Sequence, residues 1–242
     1  MAAYFAFIGP PGSGKTTQIR ALRAAFSHSH FMIASVPRLV RQETELMNLL
    51  LPDERDELRS SLDAAHVARD RGELAPISLD RMLFRAISRV ATDVFVALDG
   101  CPRGLRQAGL FLNIDALARR TVVAKFYFPD DTPSASLQRQ FERERRKRGR
   151  ATAQARLPIF QRKVEVYTQD TLPGVDRLAC AGIPITRVDA TWPPAAIHQI
   201  ILDIAVAHRR KVSQSEFHPT TNGSTGSGGK SNPRIARIAR KH

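Results

Sequence analysis

Near the start the chain reads Gly9-Pro-Pro-Gly12-Ser13-Gly14-Lys15-Thr16, two glycines separated by four residues and followed by a lysine and a threonine. Glycines let a backbone approach a phosphate chain closely. Successive N–H groups at the opening of a helix then give that chain a concave nest of positive partial charge. Lys15 would reach the β and γ phosphates, and Thr16 would offer its hydroxyl to Mg²⁺, which takes oxygen ligands. Gly9, Gly12, Ser13, Gly14, Lys15, Thr16 and the adjacent Thr17 are therefore candidate ATP-binding residues. A glycine-rich turn with no ligand is the plain alternative, but every fixed position of the pattern is filled.

A second stretch, Asp99-Gly100-Cys101-Pro-Arg103, runs on to Gln107-Ala108. It follows the apolar run Val94 to Leu98, so Asp99 falls at the carboxyl end of a buried strand, where open α/β sheets bind ligands. From there Asp99 would orient Mg²⁺ through water, or simply cap the following turn. A third stretch, Leu137 to Lys163, holds ten basic residues (Arg139, Arg143, Arg145, Arg146, Lys147, Arg148, Arg150, Arg156, Arg162 and Lys163) against Glu142 and Glu144. Such charge suits a transferring phosphoryl group, although a solvated helix face or a nucleic-acid contact gives the same composition.

The elements that must position these residues alternate. Tyr4 to Ile8, Phe31 to Ala34, Val94 to Leu98, Val122 to Phe128 and Ile183 to Val188 are short apolar runs of the kind that a doubly covered parallel strand shows. Between them lie apolar residues at helical spacing: Leu58, Leu62 and Ala65; Leu137 and Phe141; Phe160, Val164 and Tyr167; Ile197, Ile200, Ile201 and Ile204. Thr132-Pro133 and Pro193-Pro194 put proline near a first helical turn, where its missing N–H costs nothing. Five strands alternating with helices predict a parallel, helix-covered α/β sheet.

The chain resembles the adenylate kinases within the nucleoside monophosphate kinase family. The phosphate loop with Thr17-Gln18 is similar to that family's first motif, and Asp99-Gly-Cys-Pro-Arg103 with Gln107-Ala108 to its Asp-Gly-Phe-Pro-Arg segment and the glutamine beyond it. The stretch from Ile33 to Arg41 resembles the one ending in the arginine that holds the monophosphate. Arg71-Gly-Glu-Leu-Ala-Pro76 resembles the turn closing the monophosphate-binding insertion. The resemblance implies a three-layer P-loop fold with a five-stranded parallel sheet over residues 1–208, a helical insertion at about 35–78 and a short basic lid at about 137–163. It implies transfer of the γ-phosphoryl of MgATP to AMP, with UMP or CMP as alternative acceptors. Lys15, Arg103, Arg148 and Lys163 would be catalytic, Arg139 and Arg143 would join the ATP site, and Arg41, Gly100, Arg103 and Gln107 would bind AMP. Gln107 would pair with the adenine edge. The family also implies a monomer.

Three departures stand out. The family's Thr-Gly-Asp after the second strand reads Val36-Pro37-Arg38, and the stretch Arg41 to Gly72 is about ten residues longer than the common form. The aspartate pair that the family carries in its lid is missing from Ala151 to Pro158, with Lys163 where the last lid arginine belongs. These changes motivate a second reading, a nucleotide-binding protein with weak or no kinase activity that contacts nucleic acid through its basic lid and tail.

Composition sets the outer limits. The 242 residues are 43% hydrophobic and 25% charged, as in ordinary globular chains, and Cys101 and Cys180 cannot make a disulfide framework. No apolar run suits a membrane span, and a strand-like run beginning at Tyr4 leaves no room for a secretion signal, which predicts a cytoplasmic protein. The net charge is +14. Residues 209–242 carry eight Lys or Arg against one acid, Glu216, together with a Gly/Ser stretch from Asn222 to Gly229. They read as a disordered tail offering a nonspecific contact to nucleic acid or another anion.

Overall fold

A computed structural model of the chain describes residues 2–26, 30–129 and 132–214. Its centre is β1 (Ala3–Ile8), all six residues of which are buried. A strand buried on both faces needs helices on each face and a partner along each edge. β1 accordingly pairs in parallel with β3 (Phe95–Asp99) and β4 (Thr121–Tyr127), while β2 (Phe31–Ala34) lies beyond β3 and β5 (Ile185–Asp189) beyond β4. The order β2-β3-β1-β4-β5 is all parallel, as the alternating pattern predicts, and each strand lies within two residues of its expected span.

The alternation of side chains along β1 sorts the core into two layers. Tyr4, Ala6 and Ile8 face a cluster with Leu79, Leu83 and Phe84 of α5 (Ile77–Ser88), Phe111 of α6 (Leu105–Leu112) and Leu178 of α11 (Leu172–Cys180). Phe5 and Phe7 face the other cluster, with Ile19 and Leu22 of α1 (Lys15–Ala25) and Ile197, Ile201 and Ala205 of α12 (Pro194–Gln214). Rings of Phe5, Phe7, Phe26, Phe31, Phe95 and Phe126 pack in series on that side. Each ring fully buried contributes about 1.5–3 kcal/mol.

Two helical groups rise from the carboxyl edge. The first follows β2: α2 (Val36–Val40), α3 (Thr44–Met47) and α4 (Pro52–Arg71). The chain breaks at 48–51 between α3 and α4. Pro52 starts α4 there, and the Glu54 carboxylate accepts the Leu51 N–H at 2.9 Å. The second follows β4: α8 (Thr132–Arg148), α9 (Arg150–Ala155) and α10 (Leu157–Val166), then a single π turn over Tyr167–Thr171. Between the strands α7 (Asp115–Arg119) completes the set.

One boundary moves. The sequence reading starts a disordered tail at 209, whereas α12 continues to Gln214 because the stripe Ile197, Ile201, Ala205 recurs at Val212, which is buried. Arg209 stacks over the Phe26 ring at 5.7 Å. The rest of the tail, 215–242, lies outside the described residues. Among the described residues no helix is long and apolar enough to cross a membrane.

Candidate active site

The phosphate loop takes its shape from two close constraints. A Cβ on Gly9 would stand 2.6 Å from Phe126 Cβ, so only glycine lets β1 leave the sheet beside β4. Gly14 adopts φ 88°, and a Cβ there would meet nothing within 4 Å, which leaves the loop's inner side open at the start of α1. Lys15 arches over this loop: its Nζ donates to the carbonyls of Gly9 and Pro10 at 2.8 Å each and to Ser13 Oγ at 3.2 Å. Burial lowers the Lys15 pKa to about 8, Asp99 pulls it back up, and Arg103 and Arg143 push it further down. An anion bound in the loop would restore the charge.

Thr16 donates its hydroxyl to Asp99 Oδ2 at 3.1 Å. The ends of β1 and β3 thus bring together two hard oxygen donors beside the loop, a pair that suits Mg²⁺. Among the described residues no group of three or more His, Cys, Asp or Glu side chains could hold a metal by itself.

Two cavities flank Lys15. The first, about 670 Å³, is lined by Gly12, Gly14, Lys15, Thr16 and Thr17 and by Arg139, Gln140, Glu142, Arg143, Arg146, Lys147 and Lys163. Apart from Lys15, its cations lie on α8 and α10. Arg139 is anchored by a 2.9 Å hydrogen bond to the Ala190 carbonyl and sits 4.8 Å over the Phe128 ring, whereas Arg143, Arg146 and Lys147 have no ion-pair partner among the described residues. The second, about 610 Å³, runs under α2 and α4 to the π turn, between Gly9, Asp99, Gly100 and Arg103 on the sheet side and Arg38, Arg41 and Arg69 on the insertion. Ile33, Val36, Val40, Leu74, Val166 and Tyr167 give it an apolar wall. Lys15, Thr16 and Lys163 line both cavities. Lys163 is held below the usual lysine range, first by burial and then by Arg156, Arg143 and Arg103.

Of the residues assigned to a nucleotide, metal or catalytic role from the sequence, all but three line one cavity or the other, and of the basic stretch Arg145, Arg150, Arg156 and Arg162 line neither. Ser13 is buried behind the loop, where it accepts from Lys15. Arg148 lines neither cavity and pairs with Glu144 at 3.3 Å. The reason is helical phase: nine residues along α8 turn Arg148 by about 180° from Arg139. Gln107 stands apart as well. It is buried and lines neither cavity. Its Oε1 accepts the Arg103 backbone N–H at 2.5 Å and its Nε2 donates to Asp80 Oδ2 at 2.8 Å, so both ends of the amide are engaged inside the protein.

Asp80, on α5, escaped the sequence reading because a single acid within an apolar helix face carries no motif. Burial pushes its carboxyl up to about 7, with the Arg103 charge and the Gln107 bond opposing. Arg38 and Arg20 also line the second cavity without having been selected. Cys101 is buried, and burial pushes its thiol well above the usual range, as a small packed residue requires. Trp192 is half exposed and lines neither cavity.

A family model described as "AAA domain" matches residues 8–156, more than half of the chain. Curated relatives agree. An adenylate kinase of Rhodopirellula baltica is 25% identical over 200 residues, 81% of this chain and 92% of its own length. One of a Synechococcus species is 28% identical over 206 residues, covering 84% and 96%, and one of Prochlorococcus marinus is 27% identical over 169 residues, covering 70% and 84%. With the phosphate loop on β1, the Asp99 segment on β3 and this match across both, the chain belongs to that AAA-domain family and is an enzyme of the P-loop kinase kind.

Proposed function

We propose that the protein is a nucleoside monophosphate kinase that moves the γ-phosphoryl group of MgATP to AMP, giving two ADP. The observation that carries this reading is the meeting of two cavities at Lys15, Thr16 and Lys163, one built on the phosphate loop and one on the insertion after β2. Donor and acceptor would enter from opposite sides, and their phosphates would converge on the two lysines. A phosphate oxygen of AMP forms the new bond to the γ phosphorus as the bond to the β-phosphate oxygen breaks, and the electron pair leaves with ADP. No proton need move, because AMP²⁻ and ATP⁴⁻ become two ADP³⁻.

Such a transfer needs charge and alignment rather than covalent help from the protein. Lys15 would hold the β and γ oxygens, Arg143 and Lys163 would face the equatorial charge from the lid side, and Arg103 from the acceptor side. Arg103 is suited to a bidentate grip, since its Nε is buried without a hydrogen-bond partner. The Thr16 hydroxyl and Asp99 carboxylate would hold Mg²⁺, directly and through water, and the ion would supply charge neutralisation between the β and γ groups. The apolar wall from Val36 to Tyr167 would stack the acceptor base. The choice of adenine leans on the names of the relatives, because the Gln107 amide is turned inward onto Asp80.

The test is ADP formation from MgATP with AMP, UMP, CMP, GMP or no acceptor, beside Lys15→Met. AMP-dependent and Lys15-dependent ADP is the expected result. A folded sample that binds ATP and turns over no acceptor would favour a nucleotide-binding protein without transfer.

A further inference from the structure

Where the family pattern has Thr-Gly-Asp after the second strand, this chain has Val36-Pro37-Arg38, and the arginine is held in an unusual way. Ser35 caps α2, its hydroxyl accepting the Arg38 N–H at 3.4 Å, so Arg38 sits on the first turn facing the second cavity. Arg41, at the end of the same helix, lines that cavity too. One carboxylate, Glu43, holds both. Its Oε1 accepts from Nε and Nη2 of Arg41 at 3.2 and 2.8 Å, and its Oε2 contacts Nη2 of Arg38. Glu43 does not line the cavity itself.

We propose that Arg38 and Arg41 together form an anion site for the acceptor's phosphate, and that Glu43 occupies their donor edges in the free protein and gives them up when the phosphate binds. The proposal rests on the nucleoside monophosphate reading above. The Nε/Nη2 edge that Arg41 spends on Glu43 is the edge that grips a phosphate bidentately, so the two anions compete for the same donors. A phosphate carries about two negative charges at neutral pH against one for a carboxylate, and it offers three oxygens to two guanidinium groups. The two arginines are unequally free to respond. The Arg41 side chain is 60% exposed and can swing inward, whereas that of Arg38 is 17% exposed and is also approached by Glu45 at 3.6 Å. Glu45 is tied in turn to Arg23 of α1 at 3.1 Å. Arg38 therefore stays at the cavity wall when Glu43 lets go, and Arg41 closes onto the phosphate.

A purely structural role for Glu43, fixing the arginines for use, would have the opposite consequence. The experiment is calorimetric binding of AMP, adenosine and inorganic phosphate to the full chain and to Glu43→Gln, Glu43→Asp and Arg38→Gln, with ATP affinity and melting temperature as controls for folding. Glu43→Gln should tighten AMP and phosphate by about two- to fivefold, the span of one exposed ion pair. Glu43→Asp, one methylene too short to bridge both arginines, should move the same way and stands in if the glutamine variant folds poorly. Arg38→Gln should weaken AMP roughly tenfold, and adenosine should be unaffected throughout. Weaker or unchanged AMP and phosphate binding in both Glu43 variants overturns the competition, and unchanged AMP binding in Arg38→Gln removes Arg38 from the site. If no nucleoside monophosphate binds or reacts while the Glu43 variants still tighten inorganic phosphate, the acceptor reading fails and the two-arginine site stands.

Discussion

The two cavities handle the same problem, a high density of positive charge, in different ways. On the donor side Arg143, Arg146 and Lys147 stand on one face of α8 with no ion-pair partner among the described residues, and Glu142, the acid in that cavity, is taken up by Arg145 at 2.7 Å. On the acceptor side Arg38 and Arg41 share Glu43, and Arg69 is paired with Asp70 at 3.0 Å. The first cavity keeps a standing field that would draw in a polyphosphate. In the second cavity the insertion's arginines keep their charges paired until a ligand competes for them, while Arg20 and Arg103 on its other walls make no ion pair among the described residues. Lys15, common to both, sits between an open field and a guarded one.

The largest expected effect tests what the two sides share. Lys15→Met should lower kcat by about 100- to 1000-fold, the loss seen when one preorganised donor to a developing charge is removed. A variant within tenfold of wild type would mean that the field of α8 does the work without the loop lysine. Next in size is Arg103→Lys, which keeps the charge of the acceptor side but not its fork. An acceptor kcat/KM lower by about 10- to 100-fold is expected, read in steady-state kinetics with ATP affinity unchanged.

The pH dependence is set by Lys15. Burial lowers its pKa from 10.5 to about 8, so the free protein loses this charge as pH rises through about 8. kcat/KM for ATP should fall on that basic limb, while kcat, measured with phosphate bound against the ammonium, should fall at higher pH. Coincident limbs would mean that the loop does not hold the phosphate against Lys15. The folding signs are opposite for the two buried groups. Between about pH 8 and 10.5 the unfolded chain holds a proton that folded Lys15 has shed, so this group adds stability as pH rises there. Asp80, raised from 3.8 to about 7, holds a proton in the folded state that the unfolded chain has lost, so its contribution declines as pH rises from about 4 to 7.

The smallest expected effect isolates that buried acid. Asp80→Asn keeps an acceptor for the Gln107 Nε2 and removes the charge, so it should stabilise the protein by on the order of 1–3 kcal/mol at pH 8. The gain should shrink towards pH 5, as measured by denaturant titration at both values. A gain independent of pH would show that the Asp80 carboxyl is ionised across that range.

Contiguity decided what could be read from the sequence. Gly9 to Thr16 and Asp99 to Arg103 are unbroken runs whose chemistry depends on neighbouring residues, and the structure brings them together through the 3.1 Å bond from Thr16 to Asp99. The strands were legible because burial on both faces leaves an apolar run, although their order in the sheet left no trace in the chain. The face of α8 that lines the first cavity is itself legible, since Arg139, Arg143, Arg146 and Lys147 recur at helical spacing and Arg148 lies across from them. Gln107 and Asp80 could not have been paired from sequence, because they lie 27 residues apart on successive helices with β3 between them. Arg38 was visible only as a departure, and the Glu43 carboxylate that gives it meaning lies five residues on, across a helix end.

The central claim is that the two cavities form one transfer site centred on Lys15 and Lys163. The most direct measurement is binding of a bisubstrate compound, two adenosines joined by five phosphates, to the full chain by calorimetry with ATP and AMP as competitors. One molecule bound per chain, displaced by either nucleotide alone and weakened by both Lys15→Met and Arg103→Lys, is the expected result. Two molecules per chain, or displacement by ATP but not by AMP, would contradict a single site.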